Sequence, residues 1–226
     1  KFSYTGSNDQ QEYLFRIGAS NALQFIYSSN GTSTSGTLTS SINLTASTWH
    51  HVAVTRSGSV LQLFIDGTSA GTASFSSAFY SGTDPLNIGG RADNQTMFTG
   101  YIDDFRILKG VARYKKNFIP PSQAVGAKLS GSNETNTTTD FTALYLPFTA
   151  DLDDDSSHGH TLTAVGSAAI SSTQSKYGSN SAAFDGNGDG LTIPNSTAFN
   201  FGSGDFTVEA WVYLNNTSQT HHIASW

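Results

Sequence analysis

The 226 residues include only three glutamates, Glu12, Glu134 and Glu209. Hydrolysis of a glycosidic bond needs two carboxyl groups about 5–9.5 Å apart, one to protonate the leaving oxygen and one to attack or to activate water. No Glu-x-Asp-x-Glu run places such a set on one strand. Glu134 lies in a polar stretch, and Glu209 is flanked by Val208 and Ala210 with no acidic partner beside it. A structural carboxylate is the simpler reading of Glu209. Counting residues does not exclude a Ser-His-Asp triad, but no catalytic set emerges, and the chain reads as a non-enzyme.

Histidines come in three pairs, His50-His51, His158-x-His160 and His221-His222. Adjacent residues of a strand point to opposite faces, so the first and third pairs cannot simply chelate one ion. His158 and His160 could point the same way across Gly159, yet no third ligand follows at a recognisable zinc spacing. The chain has no cysteine, which removes thiolate metal sites and a thiol nucleophile. Calcium, which takes oxygen ligands, is better served: Asp151-x-Asp153-x-Asp155 sets carboxylates at alternate positions of a loop. The run Asp185-Gly186-Asn187-Gly188-Asp189-Gly190 opens like an EF-hand loop. Its twelfth position is Ser196 instead of Glu and its flanks read as strands, so a plain hairpin turn is expected there.

The elements that must carry these side chains are strands. Charged residues make up 12% of the chain, about half the ~25% usual in globular proteins, and Gly, Ser, Thr and Asn fill the difference. That mixture suits strands joined by tight turns. With 15 Phe, 9 Tyr and 3 Trp a substantial core can form. The net charge of −6 and the scatter of 11 basic residues argue against nucleic acid, whose phosphates need clustered Lys and Arg. No apolar run approaches the ~20 residues of a membrane helix, so no membrane insertion is expected.

Strand signals run from end to end. Residues 13–17, 23–27, 49–56, 60–66, 72–75, 86–88 and 98–107 read as strands, and Asp66-Gly67 marks a hairpin of the type that needs positive φ. One helical turn is expected at 110–114, with Pro120-Pro121 ending that region. Residues 126–140 read as a polar linker. Strands resume at 144–146, 161–163, 182–184, 191–193 and 206–214. In the last, Phe206, Val208, Ala210 and Val212 share one face, while Thr207, Glu209, Trp211 and Tyr213 share the other. A tryptophan among polar neighbours implies that this second face is partly covered too. The fold class is all-β, an antiparallel sandwich with no helix beyond about two turns.

At this point the motifs become familiar. Trp49-His50-His51-Val52-Ala53-Val54-Thr55-Arg56, Leu63-Phe64-Ile65-Asp66-Gly67, Leu86-Asn87-Ile88-Gly89-Gly90-Arg91 and Gly100-Tyr101-Ile102-Asp103-Asp104-Phe105-Arg106-Ile107 run in the order seen in laminin-G-like jelly rolls. Phe184-Asp185-Gly186 and Gly204-Asp205-Phe206-Thr207-Val208-Glu209-Ala210-Trp211-Val212 resemble the first half of that family. The chain thus resembles a laminin-G-like, concanavalin A-like domain. The segment 110–121 looks like a tail common in phage and bacterial surface versions. The resemblance implies a jelly roll, an extracellular, cell-surface or virion location, and glycans as possible ligands. It also implies a structural calcium held by Asp103 together with the Asp151, Asp153 and Asp155 loop.

The order of the halves is inverted relative to the family. Residues 1–125 read as the C-terminal part of one sandwich, and 141–226 as the N-terminal part of the next. Joining Trp226 to Lys1 would restore an unbroken domain. Neither half should fold alone, because each would expose unpaired sheet edges. Two arrangements satisfy both: the halves close on each other within a chain, or residues 141–226 complete the next copy head to tail. The second, favoured here, builds a fibre.

Overall fold

The computed structural model describes residues 12–90, 96–126 and 141–226. The expected linker therefore falls almost wholly outside the described residues. Strands β1 (Tyr13–Ile17), β2 (Ala22–Tyr27), β3 (Gly36–Asn43), β4 (Trp49–Ser57), β5 (Val60–Ile65), β6 (Thr68–Ser74), β7 (Leu86–Ile88) and β8 (Thr99–Lys109) come from the first segment. The second segment adds β9 (Thr142–Leu146), β10 (Thr163–Val165), β11 (Ala169–Ser171), β12 (Ser181–Asp185), β13 (Gly190–Ile193), β14 (Phe206–Leu214) and β15 (His221–Ser225). Two antiparallel sheets result. The first has the order β10-β13-β7-β15-β1-β2-β3; the second runs β11-β12-β8-β14-β4-β5-β6, with β9 also beside β8.

Both sheets draw strands from both segments. In the second sheet β14 lies between β8 and β4, pairing Val208 with Ile107 on one side and Val54 on the other. In the first, β15 lies between β7 and β1. Within this chain, then, the halves close on each other, which is the first of the two arrangements.

Alternation places Phe206, Val208, Ala210 and Val212 of β14 in the core between the sheets, with Thr207, Glu209 and Trp211 buried on the opposite side. An aromatic cluster closes one end of the core: Phe201 stacks on Phe206 with centroids 4.1 Å apart, and Tyr13 stacks on Phe201 at 5.3 Å. Such offset contacts add about 0.5–1.5 kcal/mol each beyond their burial.

Turn chemistry follows sequence closely at Asp66-Gly67, where φ is 49° and 74°, as a two-residue hairpin of this hand requires. Gly67 is needed twice over, because a Cβ there would sit 2.0 Å from the Phe118 carbonyl oxygen. The helical turn expected at 110–114 does not form. Gly110 takes φ 92°, and the chain leaves β8 as an irregular strap. The strap trades local helical bonds for bonds to the sheet, and among the described residues the one helical element is a 3₁₀ turn at Thr197–Phe199.

Candidate functional site

The outer face of the second sheet carries most of the ionisable side chains of interest. Across β4, β14 and β8 it presents successive rows, set by register: Thr55–Thr207–Leu108, then Ala53–Glu209–Arg106, then His51–Trp211–Asp103, then Trp49–Tyr213–Tyr101. A β-bulge opposite Glu209 and Trp211, with Asp104 at φ 52°, separates Asp103 from Arg106. The extra residue restores the alternation, so that Asp103 and Arg106 share the outer face while Ile102, Phe105 and Ile107 enter the core.

Glu209 is the hub. Its Oε1 accepts from Arg106 Nε at 2.9 Å and from Nη2, and its Oε2 accepts from the Tyr114 hydroxyl at 2.7 Å and lies 3.2 Å from His51 Nε2. Burial alone would push the carboxyl up. Arg106, His51 and the Tyr114 hydroxyl outweigh it and hold Glu209 well below the usual carboxylate range. The Tyr114 hydroxyl, buried and next to that charge, is pushed up in turn. Glu209 is thus a buried, ion-paired carboxylate whose partners favour the ionised form.

The strap covers this hub. Tyr114 and Phe118 stack face to face at 3.6 Å, and both rings meet Phe64. Thr55 Oγ1 donates to the Tyr114 carbonyl, Arg113 N donates to Thr207 Oγ1, and Phe118 N donates to the Gly67 carbonyl. Farther along, Val125 N donates to the Asp104 carboxyl, which also accepts the Tyr145 hydroxyl at 2.8 Å. Burial raises the Asp104 carboxyl to about 6 despite these donors.

The four carboxylates expected to hold calcium are dispersed. Asp103 is buried, and its Oδ2 accepts from Lys176 N at 2.8 Å and Tyr177 N at 3.0 Å. Its Oδ1 is buried without a hydrogen-bond partner. Asp151, Asp153 and Asp155 are exposed, and Asp151 Oδ1 accepts from Asp153 N within its own loop. Among the described residues no group of three or more His, Cys, Asp or Glu could hold a metal ion. The residues therefore do not fit the calcium site that the resemblance implies: one oxygen of Asp103 stands alone, and amide donors take the place of a cation on the other. The residue that organises the loop is Asp154, which sequence reasoning missed. It accepts from Tyr145 N, Ser156 N, Ser156 Oγ and His160 N. The missed signal was Asp154-Asp155-Ser156, a carboxylate two residues before a serine, which favours an Asx turn.

The other motifs resolve as structure. Asp189 accepts from Ser167 N and Asp185 N, so the Asp185–Gly190 run is a locked hairpin. His158 and His160 do share a side, with parallel rings 5.4 Å apart. His50 pairs with Asp66 at 2.7 Å while His51 turns to Glu209. One Gly-x-Ser-x-Gly pattern spans Gly67, Ser69 and Gly71. It runs along edge strand β6 and not into a helix, and Ser69 Oγ accepts from Gln62 Nε2 with no histidine bonded to it. Two shallow cavities lie elsewhere. One of about 250 Å³ is lined by Lys109, Phe141 and His158, and one of about 200 Å³ by Thr96, Asn187 and Gln219. Neither Glu12 nor Glu209 lines them.

The sequence model of the concanavalin A-like lectin/glucanases superfamily matches residues 2–113. Comparison with curated proteins and with solved structures found no match. The matched segment holds β1 to β8, and residues 141–226 complete its two sheets. Residues 2–113 belong to the concanavalin A-like lectin/glucanases superfamily, and the sandwich they build with residues 141–226 is a laminin-G-like jelly roll.

Proposed function

We propose that the chain is a non-enzymatic structural and adhesive module of an extracellular or virion fibre. The observation that carries the first part is the state of Glu209: the carboxylate at the centre of the second sheet is sealed under the strap, ion-paired and held ionised. Glu12, the other glutamate among the described residues, is buried, and burial raises it to about 9. Neither offers the pair of accessible carboxyl groups that glycoside cleavage requires.

The fibre reading is supported by the way the segments interleave. Because β14 and β15 insert between strands of the first segment, residues 141–226 of one copy can occupy the same slots in the next. Passed on head to tail from copy to copy, that exchange builds a fibre, whereas a reciprocal exchange would close as a dimer. It rests on sheet pairing already suited to the purpose, since each slot is lined by unpaired N–H and C=O groups until filled.

Both parts have a direct test. Incubation with mixed-linkage β-glucan, galactomannan and xylan should release no reducing ends, and release would overturn the non-enzymatic reading. Refolding from denaturant at rising protein concentration, followed by light scattering, should yield a ladder of oligomers. A single monomer peak at every concentration would overturn the fibre.

A further inference from the structure

Charge on this chain is segregated. The strap that leaves β8 carries Arg113, Lys115 and Lys116, and no Asp or Glu occurs from Gly110 to Gly126. All three basic residues are exposed. Arg113 is steadied by Tyr114, its Nε donating to the hydroxyl at 3.2 Å and its guanidinium lying 5.6 Å from the ring centroid. Lys115 and Lys116 make no ion pair or hydrogen bond among the described residues. Asp66, in the turn beneath Phe118, is already taken by His50 Nδ1 at 2.7 Å and His51 N at 2.9 Å. Ile119 follows at the same tip, and at 92% exposure it is the barest large apolar side chain among the described residues.

The opposite charge collects in the loop after β9. Asp151, Asp153 and Asp155 are exposed there, and no Lys or Arg occurs from Phe141 to Ser175. Asp154 is occupied by its four donors. None of the other three forms an ion pair among the described residues. The Asp155 carboxyl is pushed up by burial and then by the charges of Asp151, Asp154 and Asp153. A cation brought from outside relieves crowding of that kind.

The fold keeps the two patches apart. Phe118 and Asn117 tie the basic tip to Gly67 and Ser69, at β5 and β6. The acidic loop is bonded to β9, beside β8. Strands β14 and β4 lie between these flanks, and each step across a sheet is about 4.8 Å. A patch and its complement on opposite flanks describe a heterologous contact, the strap of one copy meeting the loop of the next. A lipid surface or nucleic acid is a poorer occupant, because either would repel a chain of net charge −6.

We propose that Lys115, Lys116 and Ile119 of the strap dock on the loop of Asp151, Asp153 and Asp155 in a second copy of this chain. The proposal rests on the head-to-tail reading above and gives it a contact surface. Strand exchange is read after refolding, whereas this contact is read on chain that was never unfolded, so the two fail separately.

Sedimentation velocity on the full chain, purified without an unfolding step, provides the test. At ~10 mM salt, where charges act over ~30 Å, mass should grow with protein concentration. At ~1 M salt, where that reach is ~3 Å, it should fall to the mass of a monomer. Lys115→Glu/Lys116→Glu and Asp151→Lys/Asp153→Lys should each weaken association at least about tenfold. Ile119→Ser should weaken it with every charge in place. Asp154 stays intact throughout, and a thermal melt checks that each variant is folded. Mixing the two charge-reversed variants should restore association, because every strap then meets a loop of opposite sign. Folded reversed variants that associate like the parent overturn the proposal, as does a mixture that stays monomeric. So does a parent chain that is monomeric at low salt, including one whose lysines bind vesicles of phosphatidylcholine and phosphatidylserine instead.

Discussion

Tyr13 and Trp226 exchange two main-chain hydrogen bonds, Tyr13 N donating to the Trp226 carbonyl at 3.0 Å and Trp226 N donating to the Tyr13 carbonyl at 3.1 Å. Their rings also meet edge-on at 6.3 Å. These residues lie at opposite ends of the described chain, and they form one rung between β15 and β1. Any account of assembly must keep that rung, whichever copy supplies each side.

The buried ion pair makes the first prediction. Arg106→Leu leaves the Glu209 charge in the sheet with only His51 and Tyr114 beside it. Removing one partner of a buried pair typically costs about 3–5 kcal/mol, and a fall of that size in denaturant stability is expected. The double variant Arg106→Leu/Glu209→Met should recover most of it. Equal losses in the single and double variants would mean that the pair's charges do not matter.

Stability should also depend on pH through Glu12. Burial raises its folded carboxyl to about 9, since neither carboxyl oxygen has a hydrogen-bond partner and the nearby Phe201 main chain and the charge of Lys109 only partly offset the loss of water. A carboxyl raised on folding favours the folded state fully below its unfolded value, and that contribution is lost as pH rises through the folded value. Glu12→Gln should therefore leave melting unchanged at pH 4 and raise it relative to the parent at pH 8. An identical pH profile in parent and variant would refute the assignment.

Calcium gives a third prediction. With Asp103 held by two amides and Asp151, Asp153 and Asp155 out in solvent, chelator should leave the melting temperature unchanged. A drop on adding chelator, reversed by calcium, would show that the orphan Asp103 oxygen anchors an ion after all.

Much of this was legible in the sequence because strand faces announce themselves. The two-residue period of 206–214 separated the core side of β14 from the side carrying Glu209, and Trp211 among polar residues correctly implied a covered second face. The Asp66-Gly67 hairpin was equally plain. What was hidden depended on long-range geometry. The bulge at Asp103-Asp104 uses a non-glycine residue at positive φ, so no glycine flagged it. Residues 110–114 read as a helical turn, and only the sheet beneath Tyr114 and Phe118 explains the strap. Nor does Tyr101 signal its neighbour Tyr213 or, beyond it, Trp49, because these come from strands far apart in sequence.

The central position of β14 has a kinetic meaning. His51 and Glu209, side by side in the finished sheet, stand 158 residues apart along the chain. Contacts so distant pay for loop closure before they return any stability, which makes folding slow. During synthesis β4 and β8 emerge first and must wait with a vacant lane between them until β14 arrives. The interval is a window in which the facing edges of β4 and β8 stand unpaired and must be kept from the wrong strand.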